Sequence, residues 1–301
     1  MLQSAEKVDF HCHSTASDGV LSPAQLLERA IGVGVDCLAL TDHDTIAGTR
    51  WLVEQGVPES IHLIPGCEIS TLWGSREIHI VALGFDLDNP DMLRFLTAQG
   101  RARWQRFERI AEKVSRRLPE YSLEQCLEGA LGQARQAQEK ADPNFVLDDQ
   151  DIQIGRPHFA SWMVQQGLTP DRNAAFDKYL SAKRIGNAKQ HWPAMADTVQ
   201  AILSWGAVPV LAHPGRYRMT GMKLQELIRA FSQAGGLAME VVGCQQPHGE
   251  RETMAKYCEK FSLHGSMGSD FHGPWSDYVE LGRLGPLPES CTSVTELLLP
   301  A

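Results

Sequence analysis

The feature that most constrains this chain is an alternation of short apolar runs with amphipathic helices, begun at once and sustained almost to the end. Val8 to His13 reads as a strand, after which Ser22-Pro23-Ala24-Gln25 opens a helix: Ser22 as N-cap, Pro23 at the first helical position, Gln25 reaching back. Leu26, Leu27, Ala30 and Ile31 supply its buried stripe, Gly32 and Gly34 end it, and Asp36 to Leu40 is the next strand. Such a β-α-β unit calls for parallel strands and a right-handed crossover. The pattern continues with a helix from Thr45 through about Gln55, a short strand His62 to Ile64, a polar exit Pro65 to Ser70, and a strand Glu77 to Phe85 that is apolar on both faces except at His79. It resumes with helices Ala194 to Trp205, Lys223 to Ala234 and Glu250 to Phe261, each followed by a strand: Val208 to Ala212, Leu237 to Val242 and His264 to Met267. Six or seven such units predict an α/β fold closed into a barrel or a barrel-like curled sheet.

Between the two series the period turns helical. From Asp91 to Leu118 the stripe is Leu93, Leu96, Trp104, Phe107, Ile110, Ala111 and Val114, and seven cations fall between Arg101 and Arg117. Most read as a solvated face; Arg101, Arg103 and Arg106 are the candidates for an anionic ligand. Tyr121 to Gly155, rich in Gln, Ala and Glu, predicts short helices with a loop near Asp142-Pro143, and reads as an insertion. A helix reopens at Arg156-Pro157-His158, and Lys183 and Arg184 add positive charge. The division that follows is barrel 1–100, helical insertion 101–192, barrel 193–301.

With 43% hydrophobic residues in 301, the chain can bury a large core. It has no charged-then-apolar leader and no apolar run of membrane length, so a cytoplasmic protein with no membrane partner is expected. Seven cysteines without a C-x-x-C pair read as reduced core residues. A formal charge of -9 argues against a broad basic surface for duplex nucleic acid; phosphate recognition must be local.

The polar exits of the apolar runs carry the chemistry. If Val8 to His13 is extended, His11 and His13 project together and Cys12 points away. Asp18, His43, Glu68, His213, Asp270 and His272 lie in loops after strands, and His79 lies within one. Each alone is an ordinary structural residue, as His62, His191, His248 and His264 are taken to be; nine at strand ends of one α/β chain point to two or three metal ions. Imidazole and carboxylate donors without thiolate suit Mn²⁺, Zn²⁺ or Fe²⁺. Glu68 and Asp270 are the bridging candidates, and such ions activate water and neutralise a transferring phosphoryl group. Arg103, Arg106, Arg156, Lys183 and Arg216 read as spare cations for an anionic substrate.

The segments His11-x-His13, Ser17-Asp18-Gly19, Thr41-Asp42-His43-Asp44, Pro65-Gly66-x-Glu68, His213-Pro214 and Ser269-Asp270-Phe271-His272 resemble the motifs of the PHP (polymerase and histidinol phosphatase) family of metal-dependent phosphoesterases. Glu77-Ile78-His79, Arg156-Pro157-His158-Phe159 and Ala212 to Tyr217 resemble its branch acting on 3′,5′-bisphosphonucleotides and RNA 5′ ends. The resemblance implies a distorted (β/α)7 barrel with a helical insertion over the mouth and a two- or three-ion centre favouring Mn²⁺, held by His11, His13, Asp18, His43, Glu68, His79, His213, Asp270 and His272. It implies catalytic roles for Asp18, His43, Glu68 and Asp270, with Asp18 and His43 binding a third ion, touching the scissile phosphate or protonating the leaving oxygen. Arg106, Arg156 and His158 would grip the nucleotide. The expected activity is removal of the 3′-phosphate of pAp and stepwise 5′-to-3′ trimming of 5′-phosphorylated RNA by a monomer. The alternatives are another phosphatase of the family, such as one for histidinol phosphate, amide or ring hydrolysis at a similar metal barrel, and a non-catalytic nucleotide-binding protein.

Overall fold

The computed structural model describes residues 7–181 and 192–298. Seven strands form one sheet in chain order: β1 (Val8–Asp9), β2 (Cys37–Leu40), β3 (His62–Trp73), β4 (Arg76–Leu83), β5 (Val208–Leu211), β6 (Ala238–Val242) and β7 (His264–Met267). The first and last strands approach as well: Phe10 N–H donates to Met267 O at 3.0 Å, and Cys12 bridges Phe271. The result is a distorted, nearly closed (β/α)7 barrel, whose interior is filled by Val8, Phe10, Ala39, Ile64, Val81, Val210 and Ala238.

Not every strand is parallel. β3 pairs antiparallel with β4, and β4 with β5, while the remaining neighbours are parallel. The expected short strand with a polar exit is one twelve-residue strand, because Pro65 sits where the ladder changes partner: His62 to Pro65 pairs with β2, Gly66 to Trp73 with β4. Gly74, at φ 61°, makes the two-residue hairpin between Trp73 and Arg76. Glu68 therefore lies inside a strand, not at its exit, while His79 lies within β4 as its apolar run predicts. β1 is likewise two residues long, though the alternation continues past it: Cys12 Sγ turns away to Ala39 O at 3.3 Å while His11 and His13 meet, Nε2 to Nε2 3.1 Å.

α1 (Pro23–Gly32) has the expected capping box between Ser22 and Gln25, and Leu26, Leu27 and Ala30 share a core with Cys12, with Leu38 and Leu40 of β2, and with Phe271. α2 (Ala47–Gln55) begins two residues after Thr45, whose hydroxyl accepts from Ala47 N. α3 (Pro90–Arg117) runs 28 residues from an Asn89 cap, putting Met92 and Leu96 in the barrel's outer core and Phe107, Ile110 and Val114 in a second core. Leu93, expected in the stripe, is exposed. That second core is completed by α4 (Leu123–Ala141) and α5 (Arg156–Gln165), with Phe159 and Met163 at its centre. The predicted short helices of Tyr121 to Gly155 are thus one long helix, capped by Ser122 with Gln125. It is tied to the barrel where Gln138 Nε2 donates to Thr15 O at 2.8 Å and Gln25 Nε2 to Ala141 O at 2.7 Å. A short α6 (Arg172–Ala175) follows, running into a wide turn at Phe176–Leu180. α7 (Met195–Ser204), α8 (Gly221–Gln233) and α9 (Glu250–Phe261) cover β4 to β7, and α10 (Thr295–Leu298) closes the described chain.

Candidate metal centre and substrate cavity

Glu68 is the hub. β2 has ended by the level of Glu68, so this residue is bonded instead to the loop after it: its N–H donates to Thr41 O and Asp42 O at 3.2 Å. Its side chain, 1% exposed, points into the barrel mouth. Oε2 lies 3.3 Å from His11 Nε2, 3.3 Å from His13 Nε2 and 3.0 Å from His43 Nδ1; Oε1 lies 2.8 Å from His79 Nδ1 and 2.9 Å from His213 Nε2. Asp270 Oδ1 stands 3.2 Å from His13 Nε2 and 3.5 Å from His11 Nε2. Asp18 Oδ1 stands 3.3 Å from His272 Nε2 and 3.9 Å from His43 Nε2. All nine predicted donors converge on one mouth.

Their supports explain why. Asp42 accepts from Ser14 N at 2.8 Å, Ser14 Oγ at 2.6 Å and Ser17 Oγ at 2.6 Å, which pins the loop carrying Asp18. Gly19 is required inside that loop, since a Cβ there would stand 2.3 Å from His13 O. Gly268 is required beneath His11 on the same ground: its Cβ would meet the His11 Cβ at 2.3 Å. Asp44, His213 and Asp270 hold positive φ angles of 53°, 29° and 52°, strain that the surrounding bonds sustain at the site.

Residue types that burial would leave neutral are held charged here. Burial opposes ionisation of Glu68, yet His43, His79 and His11 draw its carboxyl well below the usual range; Asp270 and Asp18 are lowered in the same way by His11 and His272 respectively. Against the same burial, Glu68 and Glu77 push His79 up to about 10, and Asp18 and Asp270 push His272 up to about 10. Burial instead lowers His43.

Donor chemistry fits metal ions. Of ten buried side-chain polar atoms without a hydrogen bond among the described residues, five are here: His13 Nδ1, Asp18 Oδ1, His43 Nδ1, Glu68 Oε2 and His213 Nδ1. His43 Nδ1 and Glu68 Oε2 are within ion-pair distance but not aligned to bond, as expected of two donors aimed at a shared centre. Three overlapping groups offer ligand atoms within 4.8 Å of one another: His11, His13 and Glu68; His43, Glu68 and His79; and His13, Asp18, His43 and His272. Thiolates take no part, and all seven cysteines are buried and free.

A cavity of about 260 Å³ adjoins the cluster, and Asp18, His43, Glu77 and His79 line it together with Arg103, Arg106, Arg156 and Phe176. The cations are less spare than the sequence suggests. Arg103 is bound to Asp44 and stacked over Trp192, its ring 5.5 Å away; Arg106 lies 3.6 Å from Glu77, and burial lowers it to about 10. Arg216 is paired with Asp270. Arg156 rests over Phe176 at 5.9 Å. His158 Nδ1 accepts from Gly155 N at 3.0 Å, and burial lowers it to about 4, so it is a neutral helix cap beside the cavity and not a cation in it. Arg101 is exposed on α3 and does not line the cavity; Lys183 lies outside the described residues.

Sequence reasoning missed Glu240. Its Oε1 is 2.5 Å from His11 Nδ1 and its Oε2 accepts from His213 N at 2.6 Å, so one buried carboxylate orients two of the candidate donors. The signal was present: a single charge inside the apolar run of β6.

The PHP domain model matches residues 9–204. The chain belongs to the PHP family. Among PHP relatives, a 5′-3′ exoribonuclease of Haemophilus influenzae is 38% identical over 97% of this chain and 98% of its own length. A 3′,5′-nucleoside bisphosphate phosphatase of Chromobacterium violaceum is 31% identical over 95% of this chain and 94% of its own. A solved structure from the same organism, described as an amidohydrolase with bound sulfate and no metal, superposes with a TM-score of 0.81 at 30% identity, covering 97% of this chain and 95% of that one. Family and donor set together make this PHP chain a metal-dependent phosphoester hydrolase. Among the described residues, no helix is long and apolar enough to cross a membrane.

Proposed function

We propose that the chain hydrolyses the 3′-phosphoester of 3′,5′-bisphosphonucleotides such as pAp and, by the same step, removes nucleotides one at a time from 5′-phosphorylated RNA. The observation that carries this is that Arg106 and Arg156 line the same 260 Å³ cavity as Asp18, His43 and His79. A molecule with two phosphates has one end at the cations and the other at the carboxylate-histidine cluster. Two of the relatives bear names that divide along these lines, one a bisphosphate phosphatase and one an exoribonuclease.

His11, His13, Glu68, His79, His213 and Asp270, with Asp18, His43 and His272, would hold two or three ions; their donors suit Mn²⁺ first, then Zn²⁺ or Fe²⁺. Bound ions would supply a water of lowered pKa and neutralise charge on the phosphoryl oxygens. The chain's own residues do the rest. Arg106 and Arg156 hold the 5′-phosphate, and Phe176 gives the base an apolar wall. Arg103, committed to Asp44, holds the cavity wall in place. Glu240 fixes the His11 ring so that Nε2 faces inward. Asp18 and His43 face the cavity where the leaving 3′-oxygen would stand. In this reading residues 101–192 are a substrate-gripping cap between barrel segments 1–100 and 193–301, on a cytoplasmic monomer.

The test is steady-state competition on Mn²⁺-loaded protein between pAp and a 5′-phosphorylated oligoribonucleotide. Both are expected to be cleaved, each inhibiting the other; independent turnover would refute a shared site. Arg156→Glu removes a charge-assisted contact and should raise KM for pAp roughly tenfold or more. A histidinol phosphatase would prefer its own ester to pAp, and an amide hydrolase would keep its turnover in Arg156→Glu.

A further inference from the structure

A second cavity opens onto the cluster at Asp270 and His272. It measures about 310 Å³, and Arg216, Gln245, Asp270, His272, Gly273 and Trp275 are among its lining residues. None of its lining residues belongs to the cavity of Arg106 and Arg156, and the 3.3 Å contact of Asp18 with His272 lies between the two. The two cavities thus meet at a pair of the candidate metal donors, and a chain occupying both would pass beside them. Trp275 is the unusual residue here, 59% exposed, with the Arg172 guanidinium 5.5 Å from its ring. Behind it the backbone is tight, since a Cβ on Gly273 would come within 3.0 Å of the indole. An indole backed by its own loop, with a guanidinium over its ring and most of its surface in solvent, is a stacking platform for a base. A further opening beside Arg216 is lined by Glu240 and Glu250, and two carboxylates suit a polyanion less well.

Resting on the function proposed above, we propose that this second cavity seats the first nucleotide on the 3′ side of the scissile phosphate, its base stacked on Trp275. The chemistry agrees with the placement. Water oxygen bonds to phosphorus as the P–O3′ bond breaks; the 3′-oxygen leaves, takes a proton and departs with the nucleotide in the first cavity. The phosphate remains on the 5′-oxygen of the rest of the strand, in the second cavity. In pAp that rest is missing, so pAp uses the first cavity alone.

The experiment compares pApA with pAp, which differ by this one nucleoside, on the Mn²⁺-loaded full chain. In Trp275→Ala the ratio of kcat/KM for pApA to that for pAp should fall about fivefold or more, the loss of one base stack. Trp275→Phe should retain most of the wild-type ratio, because an aromatic face remains. An unchanged ratio in Trp275→Ala, including equal losses on both substrates, overturns the subsite. A wild-type protein that hydrolyses neither substrate overturns the function itself, and the subsite with it.

Discussion

At the scale of single residues, the site depends on carboxylates that no ligand count would have required. Glu240 touches His11 and the His213 backbone but sits behind them, so Glu240→Gln should leave the fold intact and weaken metal affinity by about ten- to a hundredfold. Metal titration alongside a thermal melt of the metal-free protein checks both halves. Protonation of the ligands has its own consequence. His79 and His272 are raised to about 10, so at neutral pH each holds a proton that a metal must displace, and loading in weak buffer should acidify the solution. Absence of proton release would contradict the ion pairs described. For the metal-free protein the sign follows from direction. The raised histidines contribute stability that is full below about 6.5 and lost as pH climbs toward 10, whereas the depressed Glu68, Asp18 and Asp270 contribute stability that is lost as pH falls below the ordinary carboxylate range. His43 and His158, lowered by burial, work the other way and lose stability as pH falls below about 6.5, so metal-free stability should peak near pH 6.5 and fall on either side, which denaturant melts across pH would reveal.

Elements carry the site through a few buried ties. Arg103 on α3 reaches Asp44, which also accepts from Ser70 N at 2.7 Å and Gln99 Nε2 at 3.0 Å, so a helix, a loop and β3 meet on one carboxylate. Arg103→Ala would leave that buried charge without its partner and should cost about 3–5 kcal/mol, measurable by denaturant unfolding. The pair Asp44→Asn with Arg103→Met should recover much of it. Which elements were readable follows the same physics. α1 was legible because its Ser22–Gln25 capping box, apolar period and length all agreed, and α9 and β7 because the bounds of their runs were clear even without a side-chain cap. β3 was not, because Pro65 and Gly66 look like a turn when alone and are strand residues only when β4 lies alongside. α4 was read as fragments, although its Ser122-x-x-Gln125 box was in plain view, because a run of Gln, Ala and Glu shows little apolar contrast until Phe107 and Phe159 pack against it.

At the scale of the molecule, two cores divide the labour: one around the barrel, beneath the candidate metal donors, and one among α3, α4 and α5, which carry Arg106 and Arg156 to the cavity. Phe159→Ala in the second core should lower stability by about 3–5 kcal/mol and raise KM for pAp while metal content stays at the wild-type level. Loss of metal together with substrate affinity would show that the two cores do not act separately. The chain alone determined that histidines and acids would gather at the ends of an α/β barrel, since local patterning specifies strands, helices and the residues between them. Tertiary structure alone decided which cations stay available and which are consumed by Asp44 and Asp270, that Glu240 stands behind His11, and that β4 runs backwards. Those outcomes depend on partners far apart in the chain, and pairing between such partners has no local signature.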